Sequence, residues 1–117
     1  MTVLRLPDVR TVLDERAPRE LAEHEKWAAV AMLLREGASG PEVFFIRRAE
    51  HPRDPWSGHM AFPGGRRDAG DATLLETAMR ETREEVGLDL SREAEHIGQL
   101  DDLQAIARGK PQETVIR

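Results

Sequence analysis

At 117 residues the chain suits one domain, with a modest core for an α/β protein. Charged residues make up 33% and aromatics 4%, which fits a soluble globular protein rather than a disordered or membrane one. A net charge of −5 argues against general nucleic-acid binding, and the absence of cysteine excludes disulfides and thiolate metal sites and fits a cytoplasmic location.

The N-terminal MTVLRLPDVR lacks a charged leader followed by an apolar core, so no secretory signal is expected. Residues 8–25 read as helical, with Val9, Val12, Leu13, Leu21 and Ala22 in partial helical register and a break at Pro18. Residues 1–26 are therefore expected to be a helical extension ahead of a main domain over 27–117. Trp27–Arg35 is an apolar run that predicts a buried strand. Its core, Ala28–Leu34, is far too short to span a bilayer. Glu36–Pro41 is a turn-rich connector, and Val43–Arg47 predicts a second strand, so 27–47 reads as a hairpin. Residues 50–61 predict a loop, and FPGG at 62–65 a tight turn. Ala72–Val86 predicts a helix, with Asp71 as N-cap and Gly87 as its stop. His96–Leu103 reads as the start of a strand followed by a turn. Thr114–Ile116 opens another β-prone run, on which the chain is read as a fragment truncated at its C-terminus.

Charge is segregated along the chain. Residues 47–67 hold five arginines against Glu50 and Asp54, and residues 68–95 hold nine acids against three arginines. A basic segment followed by an acidic one suits an anionic substrate held beside a cation-binding site. Within the acidic segment, Glu81, Glu84 and Glu85 fall within an arc of roughly 100° on one side of the predicted helix. Arg80, four residues before Glu84, is placed to pair with it. Hard oxygen donors in this pattern suit Mg²⁺ or Mn²⁺. Clustered before FPGG, Arg47, Arg48 and Arg53 are candidates to contact a diphosphate. Gly64 and Gly65 are expected to shape the turn, with backbone N–H groups free to face an anion. His51 and His59 are expected to be ordinary loop residues, Trp56 to pack, and Asp68 and Asp71 to cap and shape the acidic loop. No role is apparent for Asp101 or Asp102.

FPGG followed by Arg80-Glu81-Thr82-Arg83-Glu84-Glu85-Val86-Gly87-Leu88 resembles the Nudix hydrolase signature, G-x5-E-x7-R-E-U-x-E-E-x-G-U, where U is aliphatic. Thr82 stands where an aliphatic residue is usual. The interval from Gly65 to Arg80 is one residue longer than the pattern, and counting back from Arg80 puts Ala72 where a glutamate is expected. The upstream residues FFIRRAE, Arg53, Gly58 and FPGG resemble the coenzyme A pyrophosphatase-like branch, with Arg53 one residue early. The resemblance implies an α/β/α sandwich around a mixed sheet. It implies divalent-metal-dependent hydrolysis of a pyrophosphate bond in a small nucleoside-diphosphate-linked substrate. It also implies that Glu81 and Glu85 touch the metal directly and that one glutamate serves as base.

Overall fold

The computed structural model of the protein describes residues 5–22, 26–107 and 109–117. In chain order its elements are α1 (Leu6–Asp14), β1 (Trp27–Val30), β2 (Leu34–Gly37), β3 (Gly40–Val43), β4 (Ile46–Arg47), β5 (Met60–Ala61), β6 (Gly64–Arg66), α2 (Leu74–Val86), α3 (Leu90–Glu93), β7 (Leu103–Ala107) and β8 (Lys110–Ile116). A mixed four-stranded sheet runs in the order β6-β1-β8-β7, with β1 antiparallel to β6 and parallel to β8. Two small antiparallel pairs, β2–β3 and β4–β5, stand beside it. No helix among the described residues is long and apolar enough to cross a membrane.

Alternation along β1 decides where α2 packs. Ala29 is buried with Leu74 and Ala78 of α2, and Trp27 and Ala31 pack against that cluster. Small side chains at Ala29 and Ala78 let helix and sheet approach closely. The register sets Gly65 opposite Ala29 and Val115 opposite Trp27, so these share the α2 face. Arg66 and Ile116, paired with Ala28, belong to the other face. Thr82 is fully buried, and its hydroxyl donates to the Ala78 carbonyl at 2.7 Å, which explains how a threonine replaces an aliphatic residue there.

Several sequence-based boundaries shift. The first helix begins at Leu6 and ends at Asp14 rather than spanning 8–25; residues 15–22 are not helical, and 23–25 lie outside the described residues. The apolar run 27–35 is two strands. Ala31 donates to the Pro63 carbonyl at 2.8 Å, but Pro63 has no N–H to return, so the β1 ladder stops there. The chain then builds its hairpin from 34–43, turning at Ala38 and Ser39, and Val43–Arg47 is divided between β3 and β4. FPGG is not a tight turn: Gly64 and Gly65 are extended and lie in β6. α2 starts at Leu74, because Thr73 is the cap, its hydroxyl accepting from Glu76 N–H at 3.1 Å. Asp71 is therefore free for other work. Gly87, at φ 75°, ends the helix as expected. Residues 96–102 join no ladder, and pairing begins at Leu103. The Thr114–Ile116 run lies inside the sheet, in a strand flanked by β1 and β7.

Asp101 and Asp102 tie the N-terminal segment to this sheet. Asp101 accepts from Arg19 N–H at 2.8 Å and from the Arg16 guanidinium. Asp102 is buried and accepts from Leu21 N–H at 2.9 Å and from Arg117 Nε and Nη2 at 2.8 and 2.9 Å. Arg117 in turn sits 5.2 Å from the Trp27 ring centroid. The Arg117 guanidinium holds the Asp102 carboxyl below the usual aspartate range, with Leu21 N–H helping and burial opposing. A carboxylate with a depressed folded pKa stabilises fully above its unfolded pKa, and the contribution is lost as pH falls through the folded value.

Replacing Asp102 with Ala is expected to cost about 3 kcal/mol, the lower end for breaking a buried pair, because Arg117 keeps some contact with water. In urea denaturation at a series of pH values from neutral downward, Asp102→Asn should lose less stability on acidification than the parent. Identical acid profiles for the two proteins would remove Asp102 from the account.

Candidate active site

β6 is an edge strand, and among the described residues no strand pairs with it on the side away from β1. Two side chains of α2 satisfy that edge. Glu85 Oε1 accepts from Gly64 N–H at 3.0 Å, and Arg80 Nη2 donates to the Arg66 carbonyl at 3.1 Å. The helix reaches the strand because the strand has no side chains there. A Cβ at Gly64 would lie 2.2 Å from the Ala29 carbonyl oxygen and 2.7 Å from Val30 Cα. A Cβ at Gly65 would lie 2.4 Å from Glu81 Cδ. Both glycines are needed for closeness of approach, not for an unusual backbone angle.

Arg80 is the hub. Its Nε and Nη2 bond both oxygens of Asp71, each at 3.0 Å, in a fork-on-fork pair. Its Nη1 bonds Glu81 Oε1 at 3.0 Å and Glu84 Oε2 at 3.3 Å. Asp68 lies 3.5 Å from Nη2. Asp71 is buried and also accepts from Asp68 N–H and from the Thr77 hydroxyl, both at 2.9 Å. The Arg80 bond, then the Asp68 N–H and Thr77, hold its carboxyl well below the ordinary range against the opposing effect of burial. The same bond raises Arg80. Sequence reasoning underrated Asp71. Counted forward from Gly65 rather than back from Arg80, it stands at the acidic position of G-x5-E, so the extra residue falls between Asp71 and Arg80.

Glu81, four-fifths buried at its side chain, has its pKa raised first by burial and then by the like charges of Glu84 and Glu85, with Arg80 opposing. These carboxylates are thus close enough to repel, which is the electrostatic condition a cation relieves. Their hard oxygens suit Mg²⁺ or Mn²⁺. Among the described residues no three acidic or imidazole side chains gather into a ligand group. Arg80 and Gly64 N–H occupy the carboxylates, so binding a divalent cation would require them to turn.

The upstream arginines separate. Arg48 pairs with Asp54 at 2.8 Å, and Arg47 donates to the Gly58 carbonyl at 3.3 Å. Arg53 instead lines a groove with Arg66. His51 Nδ1 accepts from Arg53 N–H, and Ser57 donates to Glu50, so these loop residues hold one another.

A family model for the NUDIX domain matches residues 24–116. The chain belongs to the Nudix family. An uncharacterised protein of Schizosaccharomyces pombe is 51% identical over 65 residues, 55% of this chain and 20% of that protein. The uncharacterised Nudix hydrolase NudL of Yersinia enterocolitica is 45% identical over 64 residues, 54% of this chain and 31% of the relative. The match thus spans less than a third of either relative. Among solved structures, the C. elegans Ap4A hydrolase superposes with a TM-score of 0.58 at 26% identity, covering 77% of this chain and 63% of that one. The mixed sheet with α2 against it is the Nudix fold.

The two glycines of this Nudix chain should respond differently to alanine. Gly64→Ala meets backbone and is expected to cost about 3 kcal/mol. Gly65→Ala meets only the carboxylate end of the Glu81 side chain and should cost about 1 kcal/mol while displacing it. Thermal denaturation of both variants decides this, and equal losses would mean that backbone approach is not what Gly64 provides.

Proposed function

We propose that this chain carries the catalytic site of a Nudix pyrophosphohydrolase acting on a nucleoside diphosphate linked to a second group. The observation that supports the reading most is the carboxylate row on α2. Glu81 and Glu84 share one Arg80 nitrogen, and Glu85, on the same helix, accepts from Gly64 N–H at the edge of β6. In this reading Glu81, Glu84 and Glu85 hold Mg²⁺ or Mn²⁺. The bound cation supplies Lewis-acid polarisation of the phosphoryl oxygens.

The chain's own residues do the rest. Arg80, clamped by Asp71, keeps Glu81 and Glu84 in place. The side-chain-free Gly64–Gly65 backbone lets Glu81 and Glu85 lie directly against β6. Arg53 contributes positive charge to the anionic substrate, and Arg47 and Arg48 shape the loop that carries it. A glutamate takes a proton from water as the water oxygen bonds to phosphorus, and the bridging P–O bond breaks. Positioning and charge stabilisation dominate such transfers.

The upstream resemblance favours coenzyme A as substrate, cleaved to 3′,5′-ADP and 4′-phosphopantetheine. ADP-ribose, nucleoside triphosphates and Ap4A are the competing substrates, the last suggested by the C. elegans neighbour. A nucleotide sensor without turnover is the other reading, and it has no need of carboxylates that hold a metal.

A substrate panel at saturating Mg²⁺ tests this. Coenzyme A should show the highest kcat/KM, and a rank below ADP-ribose would remove the branch assignment while leaving the family. Glu85→Gln keeps shape and removes charge, so turnover should fall by at least about 100-fold. Activity within about threefold of the parent would take Glu85 out of the mechanism.

A further inference from the structure

The face of β6 opposite α2 borders a groove of about 600 Å³ between the 52–56 loop and β8. Lys26, Arg53 and Arg66 bring three positive charges to it, and Glu113, which pairs with Lys26 at 2.5 Å, brings one negative charge. The groove therefore carries a surplus of about two positive charges, matching a phosphomonoester dianion. Arg53 and Arg66 have no carboxylate partner among the described residues, whereas Arg47, Arg48, Arg80 and Arg117 each have one. Two free guanidinium forks in one groove are what recognition of a phosphate needs.

Its walls are stiff and partly apolar. Pro52, Pro55 and Pro111 line it. Trp56 lines it too, and its indole N–H is fixed on the Ile106 carbonyl at 2.9 Å. An anchored indole beside two arginines offers a flat surface to a heteroaromatic ring whose phosphate lies against the guanidinium groups. Position ties the groove to the catalytic row. Arg66 follows Gly65 directly, so adjacent residues of one strand face the Glu81 carboxylate and the groove.

We propose that this groove is a binding site for a peripheral phosphomonoester of a nucleotide substrate, separate from the pyrophosphate that is cleaved, and that Arg53 and Arg66 select substrates carrying that extra phosphate. This rests on the pyrophosphohydrolase reading above and adds a specificity determinant to it.

Two measurements separate the proposals. The first is equilibrium dialysis of the full chain, without metal, against adenosine 3′,5′-bisphosphate and, as a ligand without a phosphomonoester, adenosine. The bisphosphate should bind about tenfold or more tightly, the scale of one charge-assisted pair. In Arg53→Ala/Arg66→Ala the margin should fall below about threefold, with thermal unfolding unchanged. If the double variant does not fold, Arg53→Ala alone, at an exposed loop position, should still reduce the margin by about threefold. Equal affinities in the parent, or a margin the variants do not alter, would overturn the groove assignment. The second is turnover of coenzyme A against 3′-dephospho-coenzyme A, which share one pyrophosphate. Preference for coenzyme A that the double variant abolishes supports the groove, and equal turnover of the two overturns it while keeping the enzyme. An intact bisphosphate margin with no hydrolysis of any panel substrate keeps the groove and removes the enzyme reading.

Discussion

Everything at the site depends on how closely α2 approaches the free edge of β6. An edge strand needs partners for its outward N–H and C=O groups. Here they come from a helix, through Glu85 on Gly64 N–H and Arg80 on the Arg66 carbonyl. That arrangement demands that the strand carry no side chains where helix and neighbouring strand press on it. Gly64 and Gly65 meet the demand on its two sides, one against the β1 backbone and the other against Glu81. The same contact orients the acidic row, so packing and chemistry share one constraint.

Like charges on one helix turn repel, and the structure shows how that repulsion is contained. Asp71 anchors Arg80 from outside the helix with a bidentate pair, and the remaining nitrogen of Arg80 reaches Glu81 and Glu84. Burial gives this pairing strength that a surface i,i+4 pair lacks. Containment is incomplete, since Glu81 stays raised by burial and by Glu84 and Glu85. The residual strain is local and electrostatic, of the kind that an added positive charge relieves.

The parts of this fold that the sequence makes legible are those fixed by local chemistry. α2 and its Gly87 stop follow from apolar spacing and a left-handed cap. β1 and the 114–116 run follow from apolar, β-prone composition. Partner-dependent features were not legible. The split of 27–35 depends on Pro63 meeting Ala31 across the sheet. FPGG reads as a turn because glycine suits turns, yet these glycines serve close packing in an extended strand, and nothing local distinguishes the two uses. Asp71 looks like a cap until Thr73 is seen to hold that place. Asp102 carries no local sign that Arg117 and Leu21 will converge on it.

Register joins these observations. Side chains along a strand alternate between faces, so a one-residue slip of β6 would exchange them all. Arg66 would then replace Gly65 against Glu81, putting a bulky guanidinium where a Cβ alone is already too close. A slip the other way would put Gly65 in the groove position and remove one of its two unpaired arginines. The acidic row therefore opposes one slip of the strand, and the opposite slip costs the groove on the other face an arginine. Pro63 closes the ladder at one end, its carbonyl accepting from Ala31 N–H with no N–H to return, while Arg67 N–H carries it on to the Trp27 carbonyl at the other.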